Sequence, residues 1–171
     1  MAKQFWRKEW IPPATPEFQA WFLGSQVTNY AGKPKVVLHG CDGKVEIFCG
    51  QRVGSRHMDL EVGDVYYFSD CARTATWYAK SAGKQSKSGA CIIPVYLSLK
   101  NPRIVDFGET GIEYLAEEIE LAKKTGHDGM IARNYNDGIC STHFMVFRPE
   151  LIKSAIGNCG AFSLTDPHIC R

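Results

Sequence analysis

Short apolar runs separated by turn-rich segments are the feature that most constrains how this chain can fold. Five of the runs are rich in β-branched or aromatic residues, which is typical of β-strands. The predicted strands cover residues 35–39, 65–68, 91–99, 129–132 and 144–147. Because few helices lie between them, their order predicts an α+β fold and not a doubly wound parallel sheet.

Capping residues and apolar periodicity predict three helices. The first covers residues 16–23, with Thr15 as its cap and an aromatic stripe on one face. The second follows residues 65–68, with either Ser69 or Asp70 as its cap, and runs to about residue 79. The third covers residues 111–124. Residues 80–89 are polar and contain Gly and Ser without periodicity, which predicts a mobile surface loop.

The chain has 171 residues, of which 44% are hydrophobic, and this suits one compact core and not two. We therefore expect an N-terminal extension over residues 1–14 and one domain over residues 15–171. Lys and Arg number 20 against 18 Asp and Glu, so no strong overall charge points to a nucleic-acid or membrane partner. No apolar run is long enough for a membrane span or a signal peptide, and we expect a cytoplasmic monomer.

Seven cysteines are present, and none forms a C-x-x-C pair of the kind that marks a structural zinc site. We expect separate reduced thiols and no metal. The glycine-rich phosphate-binding motifs and the serine of a nucleophile elbow are also absent. Any chemistry must therefore come from other residues.

Three places carry residues that suit a binding or catalytic site. His39 and Gly40 end a predicted strand, Tyr67 and Tyr78 flank a strand-to-helix turn, and His143 precedes the last predicted strand. Taken singly, each has a structural explanation, because histidines at strand ends and tyrosines on strands and helices commonly belong to the core or its rim. Their order along the chain favours a common site.

In this order the residues resemble the diphtheria-toxin and poly(ADP-ribose) polymerase branch of ADP-ribosyltransferases. The resemblance is greatest to the compact domain of phage and prophage polyvalent and head-morphogenesis proteins. The spacing from Tyr67 to Tyr78 agrees with that of the polymerases. The matching stretches are residues 15–22, 32–40, 67–79, 94–102, 128–131 and 147–158.

The resemblance implies a split, antiparallel-rich sheet whose cleft binds NAD⁺ as substrate. In the family, the residue at His39 binds the adenosine ribose, and the backbone at Gly40 binds the nicotinamide amide. Tyr67 and Tyr78 would enclose the nicotinamide ring and orient the scissile bond. The expected catalytic residues are His39, Tyr67, Tyr78 and His143. The expected NAD⁺ contacts are His39, Gly40, Tyr67, Ser69, Thr76 and Tyr78.

The chain departs from the family pattern at two positions. Active members usually carry a Glu where His143 stands, and this Glu stabilises the cationic transition state. A neutral imidazole can accept a ribose hydrogen bond, but it adds no negative charge. Glu150 lies beyond the strand and is not expected to substitute. The polymerases also have a serine where Ala75 stands, with Thr74 and Thr76 as possible replacements.

The sequence therefore predicts transfer of a single ADP-ribose with release of nicotinamide. Polymer elongation is not expected, because it uses the missing Glu to activate the acceptor. The acceptor is a protein side chain or a nucleobase, and we prefer protein. The alternatives are an NAD⁺ or ADP-ribose binding module and an NAD⁺ glycohydrolase. If the protein is encoded by a phage or prophage, it would act in the cytoplasm of a bacterial host.

Overall fold

A computed structural model describes residues 10–48, 64–87 and 89–171. Within them the chain forms four α-helices, seven strands and two short 3₁₀ turns. In chain order these are α1 (Pro16–Phe22), β1 (Val37–Cys41), β2 (Tyr66–Ser69), α2 (Ala72–Ser86), β3 (Cys91–Leu97), β4 (Pro102–Asp106), α3 (Phe107–Thr110), a 3₁₀ turn (Ile112–Tyr114), α4 (Leu115–Lys124), β5 (Gly129–Asn136), β6 (Cys140–Val146), a 3₁₀ turn (Pro149–Leu151) and β7 (Ile152–Ser154).

The seven strands form one mixed sheet in the order β4-β5-β6-β2-β1-β3-β7. β4 and β5 are parallel, and all the other neighbours are antiparallel. Helices α3 and α4 connect β4 to β5, but most neighbouring strands are antiparallel and the sheet is not doubly wound. The prediction of an α+β fold is therefore confirmed.

The shortest strand pairing in the sheet is between β1 and β2, which are joined by the single residue pair Leu38↔Ser69. The ladders on either side are longer, because β1 pairs with β3 over five positions and β2 pairs with β6 over four. The sheet therefore has two halves, β4-β5-β6-β2 and β1-β3-β7, with a weak joint at its centre. This joint corresponds to the predicted split.

Hydrophobic side chains cover both faces of the sheet. Along β6, Phe144 and Val146 belong to one cluster and Met145 to another, as expected when successive side chains point to opposite faces. The Met145 cluster includes the buried side of α4, through Leu115 and Ile119. The helix α2 also packs on the sheet, mainly against β1.

The helix α1 forms as predicted. The Thr15 hydroxyl accepts a hydrogen bond from the Phe18 amide at 3.2 Å, and Pro16 occupies the first turn. Its buried face belongs to an aromatic cluster that joins the helix to β3 and to the C-terminal segment. The buried members of this cluster are Phe18, Trp21, Phe22, Tyr96 and Phe162.

Two predictions about α2 were wrong. The helix continues to Ser86, so residues 80–86 are not the expected loop. The small buried residues Ala79, Ala82 and Gly83 explain this, because they continue the face that packs on the sheet. The N-cap position is occupied by Cys71, and neither Ser69 nor Asp70 caps the helix.

Other element boundaries also differ from the sequence prediction. β4 and β7 were missed, whereas β5 and β6 each extend beyond the predicted residues 129–132 and 144–147. The predicted helix 111–124 contains a 3₁₀ turn before α4 begins. Of the expected N-terminal extension, residues 1–9 lie outside the described residues.

The described residues contain neither a membrane-spanning helix nor a cluster of metal ligands. None of their helices combines the length and apolar character that crossing a membrane requires. Among residues 10–48, 64–87 and 89–171, no three His, Cys, Asp or Glu side chains converge closely enough to hold a metal ion.

The buried Lys153 in β7 gives a test of the fold. Its side chain is fully buried, and Nζ donates to the carbonyl oxygens of Asp166 at 2.7 Å and His168 at 2.8 Å. We expect Lys153→Met to lower the free energy of unfolding by about 2 to 4 kcal/mol, because two carbonyls lose a charged donor. Lys44→Met is the control, since the Lys44 side chain is 82% exposed. Equal unfolding free energies for the two variants in urea would contradict this role.

Candidate functional site

The helix α2 lies directly on β1 at Gly40. A Cβ atom at this position would stand 2.7 Å from the Ala79 amide nitrogen and would collide with the Ala75 carbonyl oxygen. Both are main-chain atoms of α2, so they cannot move aside as the end of a flexible side chain could. The helix can therefore approach the strand this closely only because residue 40 is glycine.

The position of α2 brings Tyr78 to the turn between β5 and β6. The Tyr78 hydroxyl donates a 2.5 Å hydrogen bond to the Asp137 carboxylate. The pKa of Tyr78 is raised well above its usual range, first by burial and then by this bond to Asp137. The negative charge of Asp137 raises it further, and the neighbouring Tyr135 and Tyr67 phenols contribute less. The Tyr78 phenol therefore stays protonated and donates to Asp137.

His143 is placed within β6, and not before the strand as predicted. Its side chain is 4% exposed, and Nε2 lies 3.0 Å from the Ser141 hydroxyl and 3.9 Å from an Asp137 oxygen. The Tyr135 ring packs on the imidazole with a centroid distance of 4.6 Å. Burial raises the pKa of Tyr135 to about 12. His143 is thus held between an aromatic ring, a hydroxyl and a carboxylate.

A β-bulge helps to position Asp137. The register of β5 and β6 shifts between Ala132 and Tyr135, where Asn134 adopts a φ of 52°. Asn tolerates this left-handed conformation, and its side-chain amide donates to both Asp106 oxygens. Beyond the bulge, β5 continues to the turn that carries Asp137. The bulge and the turn together aim the carboxylate at α2.

Hydroxyl groups connect β2, α2 and β6 behind His143. The Ser141 hydroxyl lies 3.2 Å from that of Ser69 and 3.3 Å from that of Thr74, which is 2% exposed. The Thr76 hydroxyl instead donates to the Ala72 carbonyl of its own helix. Of the two threonines near the position where the polymerases have serine, Thr74 is therefore the one that faces the group around His143.

The β1 histidine is hydrogen-bonded to the main chain of β2. His39 Nδ1 lies 2.8 Å from the Tyr67 carbonyl oxygen, and the ring packs against Phe48 and Phe68. Since a carbonyl can only accept, Nδ1 carries the proton, and Nε2 of the neutral ring is an acceptor. This bond spans the weak joint of the sheet. The Tyr67 phenol oxygen is buried, and burial raises its pKa above the usual range.

A depression lies between the first half of α2 and the β5–β6 turn. Its cavity volume is about 100 Å³, and it is open to solvent. This volume is below the range for small-molecule pockets, so the depression by itself would enclose only a small part of a dinucleotide. Its lining residues are Thr74, Trp77, Tyr78, Asp137, Gly138 and Ile139.

The structure brings three of the seven predicted site residues into one hydrogen-bonded group. Tyr78, His143 and Ser69 belong to the hydrogen-bonded group around Asp137 and Ser141. His39 contacts the Tyr67 carbonyl, Phe48 and Phe68. Glu150 lies apart, with its side chain 3.8 Å from Arg148. That His39 and Tyr78 line one cleft stays a prediction.

Sequence reasoning missed Asp137. Asn136, Asp137 and Gly138 form a sequence typical of a hairpin turn, and this turn chemistry is sufficient to explain an Asp there. The sequence feature that could have identified Asp137 is its position at the turn leading into the strand that carries His143.

The chain matches a known protein family over most of its length. Residues 29–162, more than half of the chain, match the family model described as ADP-Ribosyltransferase in polyvalent proteins. This span includes all seven strands of the sheet and all the residues of the group around Asp137. Neither the curated proteins nor the solved structures contain a match to the chain.

The bond between Tyr78 and Asp137 can be tested through stability. In a double-mutant cycle of Tyr78→Phe and Asp137→Asn, we expect a coupling free energy of about 1.5 to 3 kcal/mol, because the acceptor is charged and largely shielded from water. Arg148→Gln and Glu150→Gln form the control cycle, whose coupling should be near zero since the Arg148 side chain is 59% exposed. Additive effects of the two site substitutions on urea unfolding would show that the bond is absent in solution.

Proposed function

We propose, from the premise that the chain belongs to the family of ADP-ribosyltransferases in polyvalent proteins, that it uses NAD⁺ as donor and transfers one ADP-ribose to a macromolecular acceptor. Transfer of ADP-ribose is the activity of the family. The observation that carries the finer proposal is the carboxylate of Asp137 beside Tyr78 and His143, at the edge of the depression.

The reaction needs negative charge close to the nicotinamide ribose. When the bond from nicotinamide to ribose breaks, nicotinamide leaves with the electron pair and the ribose carbon becomes cation-like. Fixed charges aimed at such a centre lower the barrier, and one such interaction commonly changes a rate by about two to three orders of magnitude. His143 supplies no negative charge in its neutral form. Asp137 supplies it from the neighbouring turn.

His143 and Asp137 divide the role that one Glu has in other members. The imidazole, held by Tyr135 and Ser141, is placed to hydrogen-bond a ribose hydroxyl. The Asp137 oxygen 3.9 Å from Nε2 faces the same region and provides the charge. Asp137 is shielded from water, which strengthens its interaction with a developing cation.

The remaining contacts with NAD⁺ follow the expected pattern. The Tyr78 ring stacks on the nicotinamide, and the main chain of Gly40 binds its amide, with the Thr74 hydroxyl nearby. Tyr67 packs on the opposite side of the ring. His39 Nε2 accepts a hydrogen bond from the adenosine ribose, since Nδ1 is held as a donor by the Tyr67 carbonyl. Ser69 supports the site through Ser141.

Transfer of a single unit fits the charges around the depression. In the family, elongation also uses the catalytic Glu to activate a hydroxyl of the previous unit, and Asp137 is the acid among the six lining residues. Because His143 stands at the position of that Glu, the second role is left unfilled. We therefore propose mono-transfer.

Incubation with NAD⁺ and candidate acceptors tests the function. The proposal predicts free nicotinamide together with an acceptor that has gained the mass of one ADP-ribose. Nicotinamide with free ADP-ribose and an unchanged acceptor would identify a glycohydrolase. Binding of NAD⁺ without nicotinamide release would identify a binding module, and either result would contradict transfer.

The proposed stacking predicts how Tyr78 variants bind NAD⁺. Tyr78→Ala should weaken binding by about 2- to 13-fold, because such ring contacts contribute about 0.5 to 1.5 kcal/mol beyond burial. Tyr78→Phe keeps the ring and should bind nearly as the wild type does. Tyr114→Ala, at an exposed tyrosine away from the depression, is the control. An unchanged dissociation constant for Tyr78→Ala in calorimetry would make Tyr78 a structural residue.

A further inference from the structure

One face of α2 points away from the sheet and carries cations and an indole. Arg73, Trp77, Lys80 and Lys84 are exposed and lie at positions i, i+4, i+7 and i+11, which share one side of an α-helix. We refer to these four residues as the α2 stripe. The opposite side packs on the sheet through Thr74, Ala75, Ala79, Ala82 and Gly83.

Among the described residues, the cations of the α2 stripe have no acidic partner. The helix contains no acidic residue, and its C-cap is a further cation, Lys87. Within the described part of the chain, no ion pair joins Arg73, Lys80 or Lys84 to a carboxylate. The chain as a whole is nearly balanced, with 20 basic and 18 acidic residues. The stripe is therefore a local concentration of positive charge on a nearly neutral protein.

Trp77 connects the stripe to the candidate site. Its side chain is 57% exposed, it lines the depression, and its ring contacts that of Tyr78 at a centroid distance of 5.0 Å and an angle of 87°. A molecule bound along the stripe would therefore reach the place where Tyr78 and Asp137 meet.

We propose that the α2 stripe binds a single strand of nucleic acid and presents an unpaired base beside Trp77 as the ADP-ribose acceptor. This inference rests on the proposed transfer activity. From Arg73 to Lys84 the helix rises by about 16 Å, which suits a few nucleotides. Cations that follow the backbone, together with an exposed aromatic ring for stacking, are the usual means of binding single strands.

The composition of the stripe distinguishes this ligand from two others. A duplex keeps its bases stacked and paired, so neither stacking on Trp77 nor attack by a base edge is possible without unpairing. An acidic peptide would satisfy the three cations and would make no use of the exposed indole. Phosphates and a base together account for both parts of the stripe.

In the proposed transfer, one bond at the ribose carbon replaces another. A nitrogen or amino group of the unpaired base forms a new bond to the ribose carbon, while the bond from that carbon to nicotinamide breaks and nicotinamide leaves with its electron pair. The base loses one proton, which passes to water. The products are one ADP-ribosylated nucleotide, free nicotinamide and a proton.

Binding can be measured on the full chain without NAD⁺, by fluorescence anisotropy with labelled DNA and RNA single strands of about 12 nucleotides. We expect log K to fall against log salt concentration with a slope of about −2, since three cations each contribute about −0.7. Lys80→Gln with Lys84→Gln should reduce the slope to about −0.7. Trp77→Ala should weaken binding by about 5- to 100-fold, and Trp77→Phe by less.

The matched control is Lys100→Gln with Lys124→Gln, which removes the same charge from exposed positions outside α2. Equal losses from the control and from the Lys80 and Lys84 pair would overturn the proposed surface. So would tighter binding of a duplex or of an acidic peptide of equal charge.

Mass measurement after addition of NAD⁺ tests the acceptor. The inference predicts one ADP-ribose on the single strand and a lower yield with Trp77→Ala; the DNA and RNA arms show which sugar is accepted. Nicotinamide release with an unmodified strand and a modified protein would overturn the inference and leave the proposed function intact. If no nicotinamide is released with any acceptor, the proposed function itself fails, and the acceptor role fails with it.

Discussion

The close contact of α2 with β1 at Gly40 is the constraint on which the rest of the site depends. Any larger residue would push the Ala75 carbonyl and the Ala79 amide away from the strand. Because a helix is rigid over this length, the contact of α2 with β1 fixes the direction of every side chain on the helix. Tyr78 then meets Asp137, Thr74 meets Ser141, and Trp77 is left at the surface. Gly40 thus determines the positions both of the candidate binding residues around Asp137 and of the α2 stripe.

The weak joint between β1 and β2 makes the contact at Gly40 relevant to the proposed ligand binding. β1 and β2 are held by one residue pair, so the two halves meet there without a continuous ladder. His39 and Tyr67 face each other across this joint, and the imidazole donates to the Tyr67 carbonyl. A ligand that approaches the joint would find main-chain atoms of Gly40 and side chains from both halves. The fold thus brings together candidate binding residues that lie far apart in the sequence.

The sequence predicted the fold class, and three of its proposed site residues, Ser69, Tyr78 and His143, meet in the group around Asp137. Tyr67, Tyr78 and His143 were recognisable because their types and order match a family whose chemistry explains them. Asp137 was not recognisable, since an Asp within Asn-Asp-Gly is already explained by the turn. Its relation to His143 depends on the bulge at Asn134, which periodicity does not reveal. The length of α2 was underestimated because Gly83, Lys84 and Gln85 look like loop residues, although the inner face stays small and buried.

We propose that the Asp137 carboxylate, on the β5–β6 turn, replaces the Glu carboxylate that other family members carry at the position of His143. Nicotinamide release measured for wild type, Asp137→Asn and the double variant Asp137→Asn with His143→Glu tests it most directly, with Asp166→Asn as a control at an acid outside the site. We expect Asp137→Asn to lower the rate by about two orders of magnitude with NAD⁺ binding retained, and the double variant to recover at least about tenfold, because it returns the charge to the ribose. Wild-type rates for Asp137→Asn, or a double variant no faster than Asp137→Asn alone, would contradict the claim.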